Sequence, residues 1–341
     1  MTAAAPPIAC HGKLPTGREY VHHQAGGLDV APLDQWVQTG HRHAFAGDGP
    51  TAAYDRSSAF GFVFPTESGP SLQGVMHPSH DATRRRYPFW VAWQPAAPSL
   101  HQSLFVDALS FAERAVRGDL LPRSLGRHVD TLRLSRRAGA APSFGRKPLD
   151  RLLPASSNDD PQAHLRILGT WLHTLLDRSA SALRRLQYGL QLPLPRDGTA
   201  LDAAAFWLDA TRMLVDDRAV PLTLFWSLPP ASRLDAPASD APGTARSGDA
   251  PPEDAHSEGV AQPLPPDPVA AASGFLLLFT TTPPPHLYAH LFDPGADRSF
   301  VYAPARVAAR HADEALSALP PRLREALATS RSAGDLLATL R

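Results

Sequence analysis

Val220-Pro221-Leu222-Thr223-Leu224-Phe225-Trp226 and, after a long interval poor in aliphatic bulk, Gly274-Phe275-Leu276-Leu277-Leu278-Phe279-Thr280 are two apolar runs of strand length. Neither alternates polar with apolar residues, as a strand with one wet face would. Continuous runs imply strands covered on both faces, and so a sheet held between two layers. If the two runs pair, the interval between them hangs from neighbouring strands of one sheet and the chain stays a single domain.

That interval, Ala231 to Pro268, strings together Asp, Ser, Ala, Gly and Pro, including Pro251-Pro252-Glu253-Asp254 and Pro263-Leu264-Pro265-Pro266. Such a composition cannot bury enough apolar surface to offset the entropy of ordering it. The expected organisation is therefore an α/β domain over residues 1–228, a disordered acidic Pro/Ala/Asp-rich insertion over 229–270, and a final core strand with C-terminal helices of the same domain over 271–341.

Upstream, Ile8 to His11, Phe60 to Phe64, Leu72 to Met76 and Phe89 to Trp93 read as further strands bounded by Pro and Gly. Helices are predicted from Pro32 to Thr39, with Leu33, Trp36 and Val37 on one face, and through Leu104, Ala108, Phe111, Ala112 and Ala115, with Gly118 as the residue that ends the turn. Asp160 and Pro161 suit the start of a helix carrying Leu165, Leu168, Leu172 and Leu175. Another helix runs from Leu201 to Val215, and Ala305 to Leu340 holds two or three short ones broken by Pro320-Pro321 and Gly334. Strands mixed with helices in this way predict an α/β three-layer sandwich, a central mixed β-sheet with helices on both faces.

The 341 residues carry 33 basic and 33 acidic side chains, so no overall field draws the molecule to nucleic acid or an anionic membrane. With one cysteine, Cys10, neither an intramolecular disulfide nor a multi-cysteine metal site can form. The first residues, Met1 to Ala9, lack the basic and apolar regions of a secretory leader, and no stretch approaches the roughly 20 apolar residues of a membrane span. A cytoplasmic protein is the expectation.

Motifs for catalysis are weak. Gly12-Lys13 lacks the upstream glycine and the following Ser or Thr of a phosphate-binding loop, which leaves Lys13 as a surface cation beside a turn. Histidines come only in pairs, so no metal and no cofactor are expected. Ser79, His80 and Asp81 are adjacent and cannot converge as a nucleophile, base and orienter must. The competing enzymatic reading is a metal-dependent hydrolase built on His77, His80 and Asp81. Arg84-Arg85-Arg86 beside Tyr87, Phe89 and Trp90 is a basic cluster next to aromatics, but one cluster on a chain of zero net charge is a poor nucleic-acid binder. One of these arginines is expected to pair with Asp81 or Glu19, while Ser79 and Asp81 accept amide hydrogen bonds in the turn after Pro78.

Two blocks are distinctive together. Gly12-Lys13-Leu14-Pro15-Thr16 with Glu19 and Tyr20, then Leu33-Asp34-Gln35-Trp36, form the first; Gly74-Val75, Pro78-Ser79, Asp81 and Arg85-Arg86-Tyr87-Pro88 form the second. Both resemble the TagF (ImpM) family of bacterial type VI secretion, strongly over residues 8–93 and thinly beyond. The resemblance implies a non-enzymatic cytoplasmic accessory protein that regulates secretion after translation, as a repressor of apparatus assembly. Its implied partners are type VI secretion components, above all a forkhead-associated scaffold protein. The protein-binding surface is expected to comprise Lys13, Arg18, Glu19, Tyr20, Ser79, Asp81, Arg85, Arg86 and Tyr87. Arg18 and Arg84 stand where the family has glycine, which predicts a changed backbone turn at each. Phe60-Gly61-Phe62 replaces a Trp-Arg-Phe strand.

Overall fold

The computed structural model describes residues 7–23, 28–47, 50–67, 69–95, 100, 102–134, 143–153, 162–176, 178, 182–183, 188–215, 220–234, 274–293 and 301–341. Among the described residues nine strands form one sheet: β1 (Ile8–Gly12), β2 (Val21–His23), β3 (Phe60–Phe64), β4 (Leu72–His77), β5 (Phe89–Trp93), β6 (Gly189–Leu194), β7 (Thr223–Ser227), β8 (Gly274–Phe279) and β9 (Val301–Tyr302). Their order is β2-β1-β5-β4-β3-β7-β8-β6-β9. Every pair is antiparallel except β6 with β9, so the sheet is mixed.

Among the described residues the α-helices are α1 (Ala31–Ala44), α2 (Thr51–Arg56), α3 (Gln102–Arg117), α4 (Leu125–Leu134), α5 (Leu149–Leu152), α6 (Ala163–Leu176), α7 (Ala200–Val215), α8 (Ala231–Leu234), α9 (Ala309–Ala318), α10 (Pro321–Thr329) and α11 (Ala333–Leu340). Pro32 near the start of α1 fits there because its missing N–H is one that the first turn leaves unused.

The continuous apolar strands are explained by two cores. Successive strand residues point to opposite faces. Phe60, Phe62 and Phe64 of β3 therefore pack with Trp36 and Val37 of α1 and Tyr54 of α2. Val63, with Val75, Val91, Trp93 and Trp226, packs against Phe105 and Leu109 of α3, Trp171 of α6 and Trp207 of α7. That makes an α/β sandwich of three layers. Gly61 of β3 has no side chain because Trp226 fills its place: a Cβ there would lie 2.2 Å from the indole. The Phe-Gly-Phe strand is thus matched to the aromatic on its neighbour β7.

β7 and β8 pair directly, Leu224 opposite Leu278 and Trp226 opposite Leu276. The interval expected to be a disordered insertion, 229–270, lies outside the described residues from 235 onward. Its first residues are described, and they are ordered into the fold: Ala231 is buried at the start of α8 and its amide donates to Glu113 Oε1 at 3.0 Å. Asp160 and Pro161 likewise lie outside the described residues, and α6 begins at Ala163.

The registers place the C-terminal ends of β1, β4, β6 and β7 and the N-terminal ends of β2, β3, β5 and β8 along one rim of the sheet. Both distinctive loops, 13–20 and 78–88, leave from that rim.

Candidate functional site

The two loops are fastened together by one buried carboxylate. Asp81 is fully buried and follows β4 by four residues. Its Oδ1 accepts from the Thr83 amide at 2.9 Å, the Thr83 hydroxyl at 2.7 Å and the Arg85 amide at 3.0 Å. Its Oδ2 accepts from Lys13 Nζ at 3.1 Å and Arg85 Nε at 2.6 Å. Burial alone would push this carboxyl up, but the bonds from Thr83, the Arg85 amide, Lys13 and the Arg85 side chain outweigh it and hold the group well below the usual carboxylate range. Asp81 is an ionised hub at neutral pH.

Further bonds complete the join. Arg85 Nη2 donates to Arg18 O at 2.7 Å, and the Ala82 amide to Gly17 O at 2.8 Å. Ser79 Oγ donates to Lys13 O at 2.6 Å. The expectation that Ser79 caps its own turn is thus corrected: its hydroxyl reaches across to the other loop. The Tyr54 hydroxyl accepts from the Ser79 amide at 3.0 Å and lies 3.1 Å from the Ser79 carbonyl. Arg86 makes a two-pronged pair with Asp55 of α2, at 2.8 and 2.5 Å.

Lys13 is not the surface cation its sequence context suggested. It is 6% exposed, because Asp81 supplies the counter-charge that lets an ammonium be buried. Arg84 stands at φ 66°, in the left-handed region that glycine adopts most easily. Its guanidinium contacts His80 Nε2 at 2.9 Å.

Of the nine residues assigned to the surface, Lys13, Ser79, Asp81 and Tyr87 are buried and form its frame. Arg18, Glu19, Tyr20 and Arg85 are exposed, and Arg86 is half-exposed. Tyr20, 47% exposed, stacks on His11 with ring centroids 5.4 Å apart and meets Tyr87 edge-on at 5.0 Å. Lys13 Nζ lies 5.0 Å from the same ring. A large aromatic is thereby held outward on a rigid base, with Lys13 and Arg85 beside it. Burial lowers the pKa of His11 against the opposing pull of Asp34, 3.7 Å away, and burial with the nearby Lys13 charge lowers that of His41 to about 4.

Sequence reasoning missed Asp55, Tyr54 and His11. Nothing local marks them: each acts on a residue far along the chain, brought close only by the sheet.

Most of the ligating atoms of the alternative centre at His77, His80 and Asp81 are already engaged. His77 Nδ1 lies 2.7 Å from the Pro78 carbonyl, His80 has a partner on each ring nitrogen, and both Asp81 oxygens are engaged. Among the described residues, no group of three or more His, Cys, Asp or Glu is placed to hold a metal.

Residues 9–140 match the TagF N-terminal domain family, described as type VI secretion system-associated. That segment is a TagF N-terminal domain. It spans β1 to β5 and α1 to α4, and so contains both loops and the Asp81 hub. Its presence makes this a type VI secretion-associated protein. The crystal structure of PA0076 from Pseudomonas aeruginosa PAO1 is similar at 16% identity, with 85% of this chain and 96% of that chain covered and a TM-score of 0.39. No curated protein matches the chain. Among the described residues no helix is long and apolar enough to cross a membrane.

Proposed function

We propose that this protein is a non-enzymatic, cytoplasmic regulator of type VI secretion, which restrains assembly of the apparatus after translation by binding one of its components. The observation that carries the reading is the hub itself. Five donors converge on a carboxylate that does no evident chemistry, and their effect is to fix two loops whose outer face shows Tyr20, Arg18, Glu19 and Arg85. A recognition surface gains affinity when its side chains are ordered before the partner arrives. Tyrosine and arginine are the side chains that most often dominate such contacts.

The forkhead-associated scaffold protein of the secretion system is the partner this reading favours, on the family resemblance. The test is capture of that protein by the purified full chain. Replacing Arg18→Glu with Tyr20→Ala should weaken capture at least about tenfold while the thermal unfolding midpoint stays close to that of the unaltered chain. Undiminished capture by a folded variant would move the docking surface elsewhere.

A further inference from the structure

Along the same rim, past the Arg86–Asp55 pair, lies a second feature that the two-loop surface does not use. Arg56, the last residue of α2, faces a cleft of about 340 Å³ that is also lined by Arg196 after β6 and Arg233 in α8. No Asp or Glu is among the described residues lining it. Arg56 and Arg233 are exposed, and among the described residues neither side chain has an ion pair or a hydrogen bond. The floor is apolar, made by Phe60, Phe275 and Phe292.

Arg56 and Arg233, neither with an ion pair among the described residues, line a cleft whose described lining residues include no carboxylate, and this favours an anionic group there on a molecule whose overall charge is zero. The planar forks of arginine match carboxylates, and the phenyl floor favours an apolar group beside them. Nucleic acid fits poorly, since bases need open ring faces to stack on and Phe60 and Phe292 are 2% and 7% exposed. A bare inorganic anion would leave Phe275, the half-buried ring of the floor, without a contact.

We propose that this cleft receives an acidic peptide segment of a partner protein, with carboxylates held by Arg56 and Arg233 and an adjacent aliphatic side chain laid against the half-buried Phe275. Who supplies the peptide rests on the regulator reading above; recognition of the peptide does not. Asp55 holds Arg86 of the loop surface while its neighbour Arg56 lines the cleft, so one partner could span both.

The test uses the full chain and fluorescein-labelled Asp-Glu-Leu-Glu-Asp, read by fluorescence anisotropy, with Asn-Gln-Leu-Gln-Asn as the neutral counterpart. The acidic peptide is expected to bind saturably and the neutral one at least about tenfold more weakly, with binding falling steeply in about 0.5 M salt. Arg56→Glu and Arg233→Glu, both at exposed positions, should each weaken it at least about tenfold without changing thermal unfolding. Arg18→Glu with Tyr20→Ala should leave it unchanged, so this reading and the two-loop reading can fail separately. Equal binding of the two peptides, or indifference to both reversals, would overturn the proposal. Displacement by inorganic phosphate at matched ionic strength would assign the cleft to a small anion instead. Binding that emerges only when residues 235–273 are removed would assign it to the chain's own acidic segment. Either result would also overturn the proposal.

Discussion

Asp81 and Arg84 sit three residues apart and show two different ways in which a turn is held. Asp81 is buried with its charge intact, a state that survives only because each oxygen has charged or amide donors. Removing one member of a buried pair leaves the other charge stranded, so Asp81→Asn should cost about 3–5 kcal/mol in urea unfolding by stranding Lys13. A loss below about 1 kcal/mol would mean that water reaches the site. Arg84 instead carries strain, since a side chain at positive φ crowds its own backbone. Arg84→Gly should raise stability by roughly 0.5–1 kcal/mol, the relief outweighing an exposed contact with His80. A destabilised variant would show that the His80 contact governs the turn.

At the scale of strands and helices, the continuous apolar runs were readable because burial on both faces removes any reason for a polar residue. β3, β5 and β8 are examples in which the sequence pattern and the structure agree closely. β6 escaped notice because Pro193 interrupts it, yet β9 pairs only with Gly189 and Leu190, which leaves Pro193 at an edge where its missing N–H costs no ladder bond to β9. β2 and β9 are too short to leave a pattern. The site was half legible for a similar reason. Asp81 with Arg85 is a pair four residues apart, readable locally, whereas Lys13 with Asp81 spans 68 positions and Asp55 with Arg86 spans 31. Those meetings depend on β1, β5 and β4 lying side by side. The join has its own tight point: Gly12 ends β1 at φ 141°, where a Cβ would stand 2.2 Å from Pro88 O. Gly12→Ala should therefore destabilise the protein by about 2 kcal/mol or more and loosen the contact between the loops, measured as faster amide exchange at Ala82 and Arg85. Unchanged exchange would place the rigidity elsewhere.

Across the whole molecule, the TagF N-terminal domain supplies one half of the sheet, and β6 to β9 with their helices extend it into a single nine-stranded layer. β3 joins the halves through its pairing with β7, and Gln102 of α3 donates to Asp202 of α7 at 2.7 Å, where Lys147 also pairs. The extension places the arginine cleft on the rim that carries the loops, so partner contacts could run along one edge of the protein. The sequence carried the pieces of this surface as separate motifs, and the antiparallel ladder aligned them. Hydrogen–deuterium exchange of the purified chain, alone and with the forkhead-associated scaffold protein, examines this arrangement directly. Protection newly appearing in residues 16–20 and 82–86 on binding, with the strands unchanged, is the predicted result; a footprint confined to other surfaces, with both loops exchanging as they do in the free protein, would contradict it.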